Sequence, residues 1–495
     1  MKIRLIFITV LAVVQFHLNA QSQIEKWSVF ELKLNKSETK NVNDQIHLSA
    51  KFFYKTDTVS IKGFYNGNGE YKIRFMPYRV GTWNYITQSN QKTMIRKGHF
   101  NCVEPSGNNH GPVQVADTFN FSYSDGKPYY PMGTTIYRWL EQKDSIQMQT
   151  IETLKNSPFN KARFKILGPG VDGITPAIFP FEEKNGTIDY SIINPDYFKS
   201  IDKGIVKLRE IGVEADLIFL HPYDEKTLPL DEMTMGDIYH YLDYIIARFG
   251  AYRNVWWTTN EFDLLRSRTM DEWDNIFVYL QSNDPYHHLR SCHNSFDGYY
   301  DNTKQWITHV SIQSESWWES QPFRQKYLKP VIFDEFCYEG NGDDRTIALN
   351  GHALTHRLWQ ITVNGGFGTH GEALVQPETG LRFFSEGGKL VGISAEQLKV
   401  LKKVIDESPG PLKPIGKDWR LSNLLCGVEN KYYVYYFGDY QINEWRFIEL
   451  PENVEFHAKL VDTQTGKIVL IPGKIKMDDT IKLPGKPNMA MVLKL

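Results

Sequence analysis

Between about residue 129 and residue 370, short apolar runs alternate with helical stretches, and this rhythm limits the possible folds more than any other feature of the chain. Strand candidates fall at about 129–135, 159–166, 213–220, 254–261, 288–293, 308–313, 330–335 and 365–370. Helical candidates include 144–156, 195–211, 234–249, 271–282 and 346–363. Eight such units over roughly 250 residues fit a closed parallel (β/α)8 TIM barrel. An open, doubly wound sheet is the alternative, but the first strand runs into Gly133-Thr134-Thr135 and not into a glycine-rich phosphate loop.

The flanks have a different rhythm. From 24 to 105, short alternating strands at Ile61–Phe64, Tyr71–Phe75 and Trp83–Thr87 are separated by Asn66-Gly67-Asn68-Gly69 and by Pro77–Gly81. Turns at this spacing predict an immunoglobulin-like antiparallel β-sandwich. Its alternation suits a packing domain that supports the barrel, with a carbohydrate-binding module as the alternative. A polar link, Ser106–Gly111, leads into a barrel domain at 106–408, and Pro409-Gly410-Pro411 opens a small antiparallel β-sandwich domain at 409–495. In that domain Tyr432, Tyr433, Tyr435 and Tyr436 cannot form one sugar platform, because neighbouring strand residues face opposite ways. The expected architecture is multidomain: a central TIM barrel between an N-terminal β-sandwich and a C-terminal β domain.

Residues 1–20 carry Lys2 and Arg4 before the apolar run Leu5–Val14 and end in Leu18-Asn19-Ala20, the pattern of a cleavable signal peptide. The protein is therefore expected to be exported, periplasmic or secreted, with no cysteine near Ala20 to hold a lipid anchor. Cys102, Cys292, Cys337 and Cys426 lie far apart, with no metal spacing and no required disulfide, and buried thiols are expected at Cys292 and Cys337. A net charge of −2 gives no reason to expect nucleic acid as a partner. Aromatic residues make up 14% of the chain, with 12 Trp and 27 Tyr, which suits a carbohydrate binder that stacks sugars on ring faces.

Two of the strand candidates end in acids. Val255-Trp256-Trp257 turns polar through Thr258 and Thr259 to Asn260-Glu261, and Val331-Ile332-Phe333 runs into Asp334-Glu335. A sheathed strand that becomes hydrophilic at its C-terminal end marks an active-site rim. By count these are the fourth and seventh strands, which can aim side chains into one pocket from nearly opposite sides. Two carboxyls around a glycosidic bond need unequal environments, one protonated to donate and one ionised to attack; a gap of about 5.5 Å gives retention and roughly 6.5–9.5 Å inversion.

Several phrases together carry a family resemblance: GFYNGNGEYKIRFMPYRVGTWNY, YYPMGTTIYRW, SPFNKARF, ADLIFLHPYD, AYRNVWWTTNEFD, DPYHHLRSCHN and THVSIQ. Through them the chain resembles the retaining glycoside hydrolases of clan A, and more narrowly the apiosidase-like candidate glycoside hydrolases of Bacteroidetes. The resemblance implies that Glu261 is the acid/base and Glu335 the nucleophile of a double displacement, with Asn260 contacting the hydroxyl beside the anomeric carbon. It does not specify the sugar. The alternative is a non-catalytic glycan-binding protein on a hydrolase-like barrel.

Other rim residues are candidates for the carbohydrate substrate. His221, Tyr223 and Asp224 follow the third strand, although Pro222 also suits a structural turn; His293 and Asn294 end the fifth; His309 and Gln313 bracket the sixth. A histidine at the sixth strand can brace the nucleophile. Tyr137, Arg138 and Trp139 follow the first strand, where Trp139 can stack on a sugar and Arg138 can meet either an acidic sugar or Glu141. Asp172 lies in the loop after the second strand. Trp317 and Trp318 are platform candidates, and His370 and Glu372 follow the eighth strand, with Glu372 the rival carboxylate to Glu335. No cofactor is implied, and histidines without short ligand spacing favour sugar binding over a metal.

Overall fold

The computed structural model describes residues 23–35, 46–168, 178–224, 226–295, 298–416, 421 and 424–495. The proposed leader and Asp172 lie outside these residues. Eight parallel strands form a nearly closed barrel: β1 (Met132–Thr135), β2 (Lys161–Lys165), β3 (Glu214–Leu220), β4 (Val255–Thr259), β5 (Arg290–Cys292), β6 (Val310–Gln313), β7 (Val331–Glu335) and β8 (Phe367–His370). They hydrogen-bond in the order β5-β4-β3-β2-β1-β8-β7-β6.

The helices over this barrel are α1 (Asp144–Lys155), α2 (Pro195–Glu210), α3 (Met235–Phe249), α4 (Met270–Asn283), α5 (Ser320–Tyr327), α6 (Gly351–Val363), α7 (Phe383–Glu386) and α8 (Ser394–Asp406). Thr234 and Thr269 start α3 and α4 through capping boxes closed by Asp237 and Glu272. The sequence reading lacked α5, the four-residue α7 and α8. Helix α5 is polar and contains Pro322, whereas α8 carries a visible core stripe at Leu398, Leu401, Val404 and Ile405.

Inside, the barrel is tiered. The floor is apolar, with Trp256, Leu289, Ile332 and Phe367 packed on Val113, Phe121 and Tyr129. Those last three come from a small antiparallel sheet, Val113–Val115, Phe121–Tyr123 and Pro128–Tyr129, which plugs the N-terminal end and was absent from the sequence reading. Above the floor lies an ionic tier. Fully buried Lys161 donates to Asp216 Oδ2 at 2.7 Å and to Asp334 Oδ1 at 2.8 Å. Gly133 gives this tier room, since a Cβ there would come within 2.5 Å of Thr369 Oγ1 and 3.0 Å of Lys161 Cε.

Buried Glu214 accepts from Trp256 Nε1 at 3.1 Å, and burial raises its pKa to about 8. The unfolded group titrates at about 4.3. Between those values the native state holds a proton that the unfolded chain has released, so stability falls as pH rises through this window. Glu214→Gln removes the proton and keeps an acceptor for Trp256. We expect the variant to gain on the order of 3 kcal/mol over wild type at pH 7 and almost nothing at pH 4.5. Urea melts of both proteins at the two pH values test this, and equal differences at both would refute it.

The N-terminal domain pairs a five-stranded sheet with a three-stranded one around Phe30, Phe52, Phe75, Trp83 and Phe100. Phe30 stacks on Phe100 and Phe52 on Phe75, each pair 4.1 Å apart. The domain is tied to the barrel through Arg74, which donates to Asp202 on α2 at 2.5 Å and to the Arg248 carbonyl at 2.7 Å. In the C-terminal six-stranded sheet, Tyr433 and Tyr435 fill that domain's own core, whereas Tyr432 and Tyr436 pack toward the barrel helices. Tyr436 stacks on Trp359 at 5.1 Å, and all four cysteines are free and buried. No helix among the described residues is long and apolar enough to cross a membrane.

Candidate active site

The upper tier of the barrel brings Glu261 and Glu335 to one mouth, and two backbone irregularities put them there. Strand residues alternate faces, so in regular strands Asn260 and Glu261, or Asp334 and Glu335, would point apart. In β7 the register slips between Ile312/Phe333 and Gln313/Glu335, which leaves one extra residue. Asp334 thus reaches Lys161 while Glu335 reaches the mouth. After β4, Glu261 adopts a left-handed backbone with φ 41° and ψ 54°. That conformation costs a non-glycine residue about 1–2 kcal/mol and turns its carboxyl into the same pocket as Asn260.

Glu335 Oε1 accepts from Tyr137 Oη at 2.5 Å and from Arg163 Nη1 at 3.0 Å, with His293 Nε2 at 3.3 Å. Burial raises its pKa, but the hydrogen bonds and charges of His293, Arg163 and Tyr137 outweigh this and hold it at about 2. Arg163 Nη2 donates to Asn260 Oδ1, Asn260 Nδ2 donates to Tyr223 Oη at 3.1 Å, and Tyr223 donates to Glu261 Oε2. Glu261 goes the other way: burial and then the Glu335 charge push it up to about 7. Near neutral pH one carboxyl is ionised and the other is about half protonated.

Of the other residues singled out in the sequence, Tyr137, Tyr223, Asn260, His293 and Gln313 join this network. His293 is fully buried against Glu335, so it braces a carboxylate and does not contact a sugar as expected. The bracing role expected of His309 on the sixth strand thus belongs to a fifth-strand residue. His309 itself sits at the opposite end of the barrel, edge-on to Phe121 and Trp256. Asn294 holds the β6 backbone, exchanging hydrogen bonds of 3.2 Å with Gln313 N and O.

Several expectations are corrected. His221 is buried and used up by its turn, with Nε2 on the Leu167 carbonyl at 3.0 Å and Nδ1 on the Tyr223 amide at 3.2 Å. Trp139 is fully buried beside Phe164 and cannot be a platform. His370 points out of the barrel, stacked on Phe159 and bonded to Thr134 and Ser394. Glu372 is no rival nucleophile: its two oxygens accept the Val391 and Gly392 amides at 2.7 and 3.0 Å, and burial raises it to about 7. Glu339 does the same for Ile393 and Ser394 at the start of α8. Glu339, His370 and Glu372 lie close enough to share a cation, but these bonds already occupy their ligand atoms.

At the rim, Arg138 pairs with Glu141 at 2.8 Å and Lys165 with Asp224 at 2.5 Å. Trp317 is held under Arg357, whose guanidinium lies 4.0 Å from the ring centre, while Trp318 is 47% exposed and remains available for stacking. The sequence reading missed Arg163, Tyr338, which meets Tyr137 Oη at 2.9 Å, and the tier beneath them. One signal was present. Lys161, Arg163 and Lys165 alternate with Ala162 and Phe164 on a strand covered by helices, so the charges had to point into the barrel.

Residues 116–378 match the family model described as "Apiosidase-like, catalytic domain". Residues 23–90 and 419–494 match two domains of unknown function, DUF5060 and DUF5605. A crystal structure of a candidate glycoside hydrolase from Bacteroides vulgatus is 32% identical, with a TM-score of 0.88 over 96% of this chain and 100% of that one. A family 5 glycoside hydrolase from the same species shares the fold at 16% identity and a TM-score of 0.61, covering 78% of this chain and 94% of its own. Another glycoside hydrolase structure has 16% identity and a TM-score of 0.58, over 78% of this chain and 97% of that one. No curated protein matches the chain.

Proposed function

We propose that this chain, which belongs to the apiosidase-like catalytic-domain family, is a retaining glycoside hydrolase of the clan A type. Glu335 is its nucleophile and Glu261 its acid/base. The observation that carries this reading is the opposite displacement of two carboxyls at one barrel mouth, Glu335 down to about 2 and Glu261 up to about 7. A pair of acids with separated pKa values divides into a nucleophile and a proton donor.

In the first step the Glu335 carboxylate attacks the anomeric carbon. The bond to the leaving oxygen breaks as Glu261 protonates it, leaving a glycosyl ester on Glu335. The ester carries no charge, so the repulsion that raised Glu261 is gone. Glu261, now ionised, takes a proton from water, the water oxygen bonds to the anomeric carbon, and Glu335 departs as carboxylate. Asn260 is held by Arg163 and Tyr223, and the one Nδ2 hydrogen not given to Tyr223 is assigned in this reading to the neighbouring hydroxyl.

Among the described residues, three cations at the mouth have carboxylate partners, Arg163 with Glu335, Lys165 with Asp224 and Arg138 with Glu141, while Arg357 is taken up by the Phe336 carbonyl and the Trp317 ring. This favours a neutral sugar over a uronic acid. Export is part of this reading, and the leader-like pattern of residues 1–20 supports it. Digestion of a panel of neutral oligosaccharides, followed by proton NMR of the first product, tests the reading. The product is expected to keep the anomeric configuration of the substrate, and inversion would overturn the double displacement.

A further inference from the structure

The nucleophile's hydrogen bonds continue downward into the ionic tier. His293 Nε2 lies 3.3 Å from Glu335 Oε1, and His293 Nδ1 lies 2.9 Å from Ser311 Oγ. Ser311 Oγ is 2.5 Å from Asp334 Oδ2, and Asp334 Oδ1 accepts from Lys161 Nζ and from Thr369 Oγ1 at 2.6 Å. His293, Ser311, Asp334 and Lys161 are at most 1% exposed, so no solvent supplies missing partners.

The protons in this chain can be counted. A carboxylate has no hydrogen to give, so Ser311's single hydrogen goes to Asp334. Ser311 then offers only a lone pair to His293 Nδ1, which must carry a hydrogen. On the other side of the ring, Nε2 faces the ionised Glu335 and Oε1 of Gln313, whose amide nitrogen is turned to Glu261; both neighbours are acceptors, so Nε2 must carry one as well. A neutral imidazole has one N–H, so the chain from Glu335 to Asp334 holds one proton more than neutral histidine supplies. It could sit on Glu335, on the second ring nitrogen, or on Asp334 with the Ser311 hydroxyl reversed; Tyr137 and Arg163 both donate to Glu335 Oε1 and keep that carboxyl ionised, which leaves the last two. Lys161, 2.8 Å away, together with the nearby Arg163 charge, keeps Asp334 ionised although it is buried.

We propose that Lys161, Asp334 and Ser311 are positioning residues that place this proton on His293, so that the nucleophile is paired with an imidazolium and not with a neutral histidine. The proposal rests on Glu335 being the nucleophile. Burial and then Arg163 hold the His293 pKa below the usual histidine value, outweighing Glu335 and Asp334, which favour the second proton; Gln313 and Ser311 are its neutral neighbours. The case for the imidazolium is therefore the geometry of the chain: the Ser311 hydroxyl, committed to Asp334, can only accept from Nδ1. An imidazolium at Glu335 Oε1 stabilises the carboxylate as it forms again in the second step, so its loss slows release of the glycosyl ester.

Nitrogen-15 NMR of histidine-labelled protein reads the proton directly, with the His293 signals identified by their disappearance in His293→Asn. Wild type is expected to show both His293 nitrogens in the imidazolium range at pH 7. Ser311→Ala is expected to restore a neutral ring protonated at Nε2, with kcat about tenfold lower and KM lower in parallel as the ester accumulates. Ser311→Thr, which keeps the hydroxyl, is expected to return both the signature and the rate. A neutral His293 in wild type at pH 7 overturns the proposal without any variant, as does an imidazolium that survives Ser311→Ala. These outcomes do not depend on product stereochemistry: inversion would remove Glu335 as nucleophile and leave the proton count intact.

Discussion

Replacing Glu335 by glutamine is expected to lower kcat by roughly 10⁴-fold or more while the protein stays folded. The amide has the same shape, and its carbonyl oxygen can accept from Tyr137 and Arg163, as Glu335 Oε1 does. It has no charge with which to attack and cannot form the ester. Fold loss is not expected, because His293 can release its second proton when the carboxylate is gone and the tier is not left with an uncompensated charge. Glu335→Ala gives a sharper test, since the shorter side chain opens a space beside Arg163 that a small anion can enter. Azide is expected to restore turnover of an activated aryl glycoside and to yield a glycosyl azide of inverted configuration, because one displacement replaces two. Wild-type rates in Glu335→Gln, or no azide product from a folded Glu335→Ala, would end the assignment.

The sequence made the barrel visible because its strands are covered by helices and so appear as apolar runs at even spacing. All eight strands lie wholly inside the expected windows with their ends trimmed, and the match extends to the polar ends of β4 and β7. It made the plug at Val113–Tyr129 invisible, because two- and three-residue strands are too short to show a period. The site was legible in its acids and less so in their supports. Trp139 and His221 look like rim residues by their place after a strand, but the chain turns back at both points and buries them. The brace expected at His309 lies at His293, because which of the two histidines faces the mouth depends on strand register and not on residue type. Two irregularities decide how the acids point, the extra residue in β7 and the left-handed Glu261, and neither leaves a mark in composition. Lys161, Arg163 and Lys165 are the reverse case: their alternation was plain, and its meaning appears once β2 is known to be covered on its outer face by helices.

Glu261→Gln is expected to divide substrates by leaving group. Alkyl glycosides, whose leaving oxygen needs a proton, should lose about 10²–10⁴-fold in kcat/KM, whereas aryl glycosides with acidic phenols should form the ester at nearly the wild-type rate. Ester hydrolysis lacks its base in either case. For the aryl substrate kcat and KM should therefore fall together, with a burst of one phenol per active site before the slow steady state. The pH profile is an independent check. Glu261 is raised to about 7 and must be protonated to act in the free enzyme, so wild-type kcat/KM is expected to decline as pH rises through 7. Glutamine does not titrate, and with an alkyl glycoside the small remaining kcat/KM of the variant should lose that alkaline limb. On the acid side, Glu335 stays ionised down to about 2, so the acid limb lies far below neutrality in wild type and in the Glu261→Gln variant alike. An alkaline limb near 7 that survives in Glu261→Gln, or equal losses for alkyl and aryl substrates, would move the acid/base role to another group. Tyr223, hydrogen-bonded to Glu261 and 40% exposed at the mouth, is the first residue to test in that case.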